Sequence, residues 1–147
     1  MRGEENFELH PRLRQDTFSL GRFELCRVLL MNESRYPWLV LVPERPAVRE
    51  IFELSAEDQV RLIQESSLIA GQLQRVFNAD KLNVAAIGNL VPQLHLHHVA
   101  RFRDDPAWPA PVWGRFEPNA YTTTSLSRLM QQLKLADLPG FTPDKSA

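Results

Sequence analysis

From Gln93 to Ala100 the side chains alternate in a way that suits an extended strand, where successive residues point to opposite faces. Gln93, His95, His97 and Val99 fall on one face, and Leu94, Leu96, His98 and Ala100 fall on the other. Residues two apart on a strand stand roughly 6–7 Å from each other, so a carboxamide and two imidazoles line one surface. Three of the chain's four histidines lie within four positions. A strand is therefore expected after the Gly88-Asn89 turn, with Leu94, Leu96, His98 and Ala100 on its core side.

The rest of the chain supplies partners for such a strand. Glu24 to Met31 and Trp38 to Pro43 are apolar runs joined by Asn32-Glu33-Ser34-Arg35-Tyr36-Pro37, whose Asn, Ser and Pro suit a turn. They read as an antiparallel hairpin. Leu82 to Ile87 reads as another strand, turned at Gly88-Asn89 into the histidine strand. Between the hairpins, Val48 to Leu54 suits a short helical turn. Ser55 then caps a helix expected to run to about Phe77, with Glu57 and Asp58 in its first turn. Leu62, Ile69, Leu73 and Val76 give that helix one apolar stripe, which leaves Gln64, Glu65 and Gln72 for the wet side. Phe7 to Asp16 suits a short helix broken by Pro11, and Gly21 punctuates the chain after Phe18-Ser19-Leu20. The proline-rich stretch 103–118, with Trp108 and Trp113, reads as an ordered loop. Thr122 to Ser125 can cap a final helix over Leu126 to Leu135. Strands and helices in this order predict an α+β fold: an antiparallel sheet of about five strands covered by one long helix and shorter ones.

At 147 residues one domain is expected, with its core over about 18–114 and a helical extension over about 120–147. The composition, 44% hydrophobic and 24% charged, is ordinary for a soluble domain. A net charge of −1 from 17 basic and 18 acidic residues does not suit a general binder of nucleic acid or membranes. Cys26 stands alone in an apolar run, so it reads as a structural strand residue, and the chain suits a reducing cytoplasm. The N-terminus has no apolar signal region, and no apolar run has the length of a membrane span.

The segment Gln93-Leu94-His95-Leu96-His97-His98-Val99 resembles the signature of the histidine triad (HIT) family, His-x-His-x-His followed by two apolar residues. His95 and His97 match the second and third histidines, Gln93 replaces the first, and His98 replaces an apolar residue. The resemblance implies the HIT fold and a nucleotide hydrolase. The middle histidine, here His95, would attack the α-phosphate of a nucleoside phosphate derivative and form a nucleotidyl-histidine intermediate. In the family the attacking ring is oriented by the main-chain carbonyl of the first triad residue, which survives replacement of the side chain. His97 would donate to phosphate oxygens, and the Gln93 amide could do the same. By the same resemblance Asn32 would hold the ribose, and Asn83 and Asn89 would lie near phosphate or leaving group. Leu90 replaces a hydroxyl residue of the family. The family further implies a homodimer with a small nucleotide as partner and no bound metal or other cofactor.

Other readings remain open at this point. Loss of the first histidine suits a binding module with little turnover, and a glutamine in the triad also occurs in the family's nucleotidyltransferases. His95 and His97 could ligate a metal ion with Asp104, Asp105 or His98 as third ligand. His98 is a buried histidine by parity, unless a bulge turns it into the site. Trp108 and Trp113 are either packed loop residues or a pocket wall. Arg101 and Arg103 either attract anions or are solvated.

Overall fold

Each apolar run of the sequence becomes a strand of one sheet in the computed structural model, which describes residues 6–145. The strands are β1 (Thr17–Arg22), β2 (Cys26–Met31), β3 (Trp38–Pro43), β4 (Lys81–Ala85), β5 (Leu96–Arg101) and β6 (Thr142–Pro143). The helices are α1 (Pro11–Asp16), α2 (Ala56–Phe77) and α3 (Thr123–Leu133). The sheet order is β4-β5-β3-β2-β1-β6, with every neighbouring pair antiparallel. Both expected hairpin pairs, β2 with β3 and β4 with β5, form.

Among the described residues the sheet has six strands where about five were expected. Gly21 does not punctuate the chain but lies inside β1. There β6 crosses so closely that a Cβ would collide with the Thr142 carbonyl oxygen, a place only glycine can fill. The histidine strand is shorter than its alternation suggests. It begins at Leu96, because Pro92 has no N–H for a ladder and the Leu94 N–H donates to the Val48 carbonyl at 2.9 Å instead. Gln93 and His95 therefore sit on a bent approach to β5.

One face of the sheet packs on α2. Leu62, Ile69 and Leu73 are fully buried against Val28, Leu30, Leu39, Leu41, Leu96 and Ala100, each worth roughly 1.5–3 kcal/mol over exposure. The wet side expected for Glu65 and Gln72 is wrong, since both are buried. They serve backbone groups that no ladder satisfies. Glu65 accepts from Leu25 N and Cys26 N at 3.1 and 2.9 Å, and Gln72 donates to the Leu133 and Lys134 carbonyls that end α3. Cys26 is buried, and burial with the nearby Glu65 charge pushes its thiol far up, away from nucleophilic use. Among the described residues no helix is long and apolar enough to cross a membrane.

The other face, carrying Leu29, Val40, Val42 and Val99, is covered by α1 and by the proline-rich loop through Leu13, Ala107 and Val112. A buried ion pair anchors this loop. Arg101, expected in solvent or near an anion, is 1% exposed and makes two bonds, at 2.7 and 3.0 Å, to the Asp105 carboxylate. Asp105 also accepts from the N–H groups of Phe102, Ala107 and Trp108. These bonds, against a desolvation that acts the other way, hold its carboxyl below the usual range. Asp105 is therefore unavailable as a metal ligand. Asp105→Ala strands a buried guanidinium and three N–H groups, so the unfolding free energy should fall by about 3–5 kcal/mol. Urea unfolding at pH 7 checks this, and a change within ±0.5 kcal/mol would be inconsistent with it.

Candidate active site

Three histidines lie where β5 begins, His95 and His97 packed together and His98 on the opposite face, and each has a partner that decides its tautomer. His95 Nδ1 lies 2.7 Å from the Gln93 main-chain oxygen. A carbonyl only accepts, so Nδ1 carries the proton and Nε2 keeps the lone pair. His97 is the mirror case: Trp38 Nε1 lies 3.0 Å from His97 Nδ1. An indole N–H only donates, so Nδ1 holds the lone pair and the proton sits on Nε2. The two rings stand edge to face with centroids 4.9 Å apart. Thus a free lone pair and a free N–H donor are presented side by side. His97 pairs across the sheet with Val40 and Ala85.

His98 points the other way, as its parity requires. It is fully buried, its Nδ1 lies 3.1 Å from the Leu96 oxygen, and its Nε2 lies 2.7 Å from Ser66 Oγ of α2. Its proton is on Nδ1 and it accepts from the serine, so it is a satisfied core histidine.

Burial keeps these rings neutral. His95 and His97 are each 6% exposed. Desolvation lowers the His95 pKa; its bond to Gln93 opposes this, and His10 adds to it. Burial, with the neighbouring His95 and His98, pushes His97 down to about 3. Burial pushes His98 down to about 4 against the opposing bonds to the Leu96 and Leu39 backbone.

Trp38 and Trp113, the two indoles packed on His97, line a cavity of about 320 Å³ together with Asp16, Met31, Asn32 and Phe116, among others; neither His95 nor His97 lines it, and its volume is at the lower end of ligand-pocket sizes. Trp113 stands edge-on to both His97 and Trp38, at 5.5 and 5.9 Å, so it is a cavity wall. Trp108 packs on Arg101 instead. The far wall is tied to the β2–β3 turn. Glu33 binds Arg35 and the Asn119 N–H, Arg35 reaches the Glu117 carbonyl, and Asn32 Oδ1 accepts from Tyr121 N at 2.9 Å. Burial alone would raise the Glu33 pKa; these donors outweigh it and lower it.

The structure thus brings together His95, His97 and the Gln93 main chain, places Asn32 in the cavity behind Trp38 and Trp113, and does not make the other expected contacts. Asn83 lies opposite Val99 on β4, two residues past the position facing His97, and its carboxamide oxygen accepts from Arg101 Nη1 at 2.8 Å. It lines neither the cavity at Trp38 and Trp113 nor the groove at His95, and neither does the exposed Asn89. The Gln93 side chain is not free for a phosphate either. Its Oε1 accepts from His10 N at 2.9 Å, and its Nε2 donates to the Glu8 oxygen at 2.8 Å. Two residues escaped the sequence reading, Trp38 and His10. Trp38 lies on β3 opposite Val99, on the same face as the histidines, and strand parity could have marked it. His10 is 83 residues from Gln93, and no local signal marks it.

These features are those of a histidine triad fold, and the comparisons agree. The HIT domain family model matches residues 12–104. Histidine triad proteins of known structure are similar over nearly the whole chain. One from Marinobacter aquaeolei is 50% identical, covers 88% of this chain and 94% of its own, and has a TM-score of 0.86. One from Bradyrhizobium japonicum is 43% identical, with 88% and 96% covered and a TM-score of 0.85. A third, from Sinorhizobium meliloti, is 40% identical, with 89% and 97% covered and a TM-score of 0.85. No curated protein matches. The chain belongs to the HIT domain family, a group whose members bind nucleotides and are typically nucleotide hydrolases or transferases.

Neutral buried histidines have a consequence for acid stability. Below about pH 6.5, the ordinary histidine pKa, the unfolded chain takes up protons that folded His97 and His98 refuse. Stability should therefore decline as pH falls from about 6.5 towards the folded values of about 3 and about 4, with no pH dependence from these groups well above pH 6.5. His98→Leu should flatten the decline, measured as urea midpoints across the window. Parallel slopes for the two proteins would refute the assignment.

Proposed function

We propose that the chain is a hydrolase acting at the α-phosphate of nucleoside phosphate derivatives, with His95 as nucleophile. The observation that carries this reading is the bond from His95 Nδ1–H to the Gln93 carbonyl at 2.7 Å. It leaves Nε2 with a lone pair on a ring that burial keeps unprotonated. In the first step Nε2 attacks phosphorus, and the bond to the leaving group breaks with its electron pair on that group, which is protonated by water. The ring becomes a nucleotidyl-imidazolium whose Nδ1–H stays on the Gln93 carbonyl, which stabilises the developing charge. Water then attacks phosphorus, and the N–P electron pair returns to Nε2. The second product is a nucleoside monophosphate, and the proton released goes to solvent.

Gln93 fits the first triad position because the position contributes its main-chain oxygen. His97, with its Nε2–H fixed by Trp38, is suited to donate to a phosphate oxygen in the transition state. The cavity at Trp38 and Trp113 would take the nucleoside, with Trp113 as an apolar wall for the base and Asn32 towards the ribose. A homodimer is supported by β4 standing at the edge of the sheet among the described residues, with Val84 on it and Ile87 just after it exposed.

One observation favours a second reading, a nucleotide-binding module with little turnover. The Gln93 side chain is committed to the N-terminal segment and cannot serve the phosphate. Turnover separates the two. Wild type and His95→Ala are incubated with a dinucleoside polyphosphate, a nucleoside phosphoramidate and a nucleotide sugar, and nucleoside monophosphate is followed. Wild type should release it from at least one substrate, and His95→Ala should lose this by on the order of 10³-fold or more. Binding without release by either protein would leave only the binding module. Equal release by both would remove His95 from its role.

A further inference from the structure

The chain has one histidine outside the β5 cluster, and the residue in the first triad position grips it. Gln93 Oε1 accepts from the His10 backbone N–H at 2.9 Å, while the Gln93 main-chain oxygen holds His95 Nδ1 at 2.7 Å. One residue thus ties His10 and His95 together, from two ends of the chain. Gln93 lies on the boundary of two grooves, one lined by His10, Arg14 and Gln15 and the other by Pro92, Leu94 and His95. Gln15 lines both the first groove and the cavity at Trp38 and Trp113.

The His10 ring also has a fixed tautomer. Its Nδ1 accepts from the Arg12 backbone N–H at 3.0 Å as the cap of α1. That N–H can only donate, so the neutral ring carries its proton on Nε2. Among the described residues no bond occupies that Nε2. His10 lies near enough to His95 for its charge to disfavour protonation there. The Gln93 carboxamide, the other candidate donor in this corner, has both ends engaged by Glu8 and His10.

We infer that His10 is a third imidazole of the active site, whose Nε2–H donates to an oxygen of the substrate phosphate beside His95. This rests on the nucleotide reading above. Glutamine in the first triad position would then not be a simple loss. Its side chain holds the N-terminal segment down, and that segment returns a histidine to the site. His10 contributes a hydrogen bond through the N–H that its capping Nδ1 leaves on Nε2.

His10→Asn tests this without confounding the fold. Asparagine caps helices at least as well as other residues, and the backbone N–H held by Gln93 remains, so the melting temperature should not move. The variant lacks the ring N–H. With the substrates above, its kcat/KM should fall roughly ten- to a hundredfold, and its affinity for a nucleoside 5′-monophosphate, read by calorimetry, should weaken roughly tenfold. His10→Ala should show the same loss of affinity together with a lower melting temperature. Wild-type rates and affinity in His10→Asn would overturn the role of His10 and leave the hydrolase reading intact. If wild type releases no monophosphate from any substrate, that reading falls. The His10 assignment then stands on the monophosphate affinity alone, supported if His10→Asn weakens it and overturned if not.

Discussion

A neutral imidazole has one proton and one lone pair, and packing several together requires that each nitrogen be told which it holds. Here that instruction comes from groups with a single capacity. The Gln93 and Leu96 carbonyls accept only, and the Trp38 indole donates only. The consequence is an opposed pair, His95 with its lone pair at Nε2 and His97 with its proton there. Burial makes the arrangement stable by keeping both rings uncharged at neutral pH. The same burial gives the site a low dielectric, in which a donor aimed at a phosphate oxygen counts for more than it would in water.

The sheet exists to hold this pair at its rim. The α2 helix closes one face, and the His98–Ser66 bond pins β5 to it. On the other face the proline-rich loop is held by Arg101 and Asp105, and it carries Trp113 to the edge of His97. The turn between β2 and β3 is bound to the chain segment before α3 through Glu33, Arg35 and Asn32. The cavity wall therefore comes from parts of the sequence that share no motif with the histidines.

What the sequence discloses follows from the range of the forces involved. Strand parity alone separates His95 and His97 from His98, and the cap at Ser55 and the stripe Leu62, Ile69, Leu73 mark α2, because these are local effects. Hydrogen bonds between distant segments leave no local trace. Nothing near Glu65 or Gln72 indicates that each will satisfy backbone groups elsewhere in the chain. Nothing near Arg101 announces that its charge will be buried against Asp105 and will draw Asn83 away from the histidines. Gln93 is the sharpest case, since its role depends on a segment 83 residues earlier.

The account stands on the opposed tautomers, and long-range ¹H–¹⁵N correlation spectra of the imidazoles at pH 7 read them directly. It predicts His95 protonated at Nδ1 and His97 protonated at Nε2, both neutral, with the His97 signature shifting to a mixture in Trp38→Phe. A His95 ring protonated at Nε2, or a charged His97 at that pH, would contradict it.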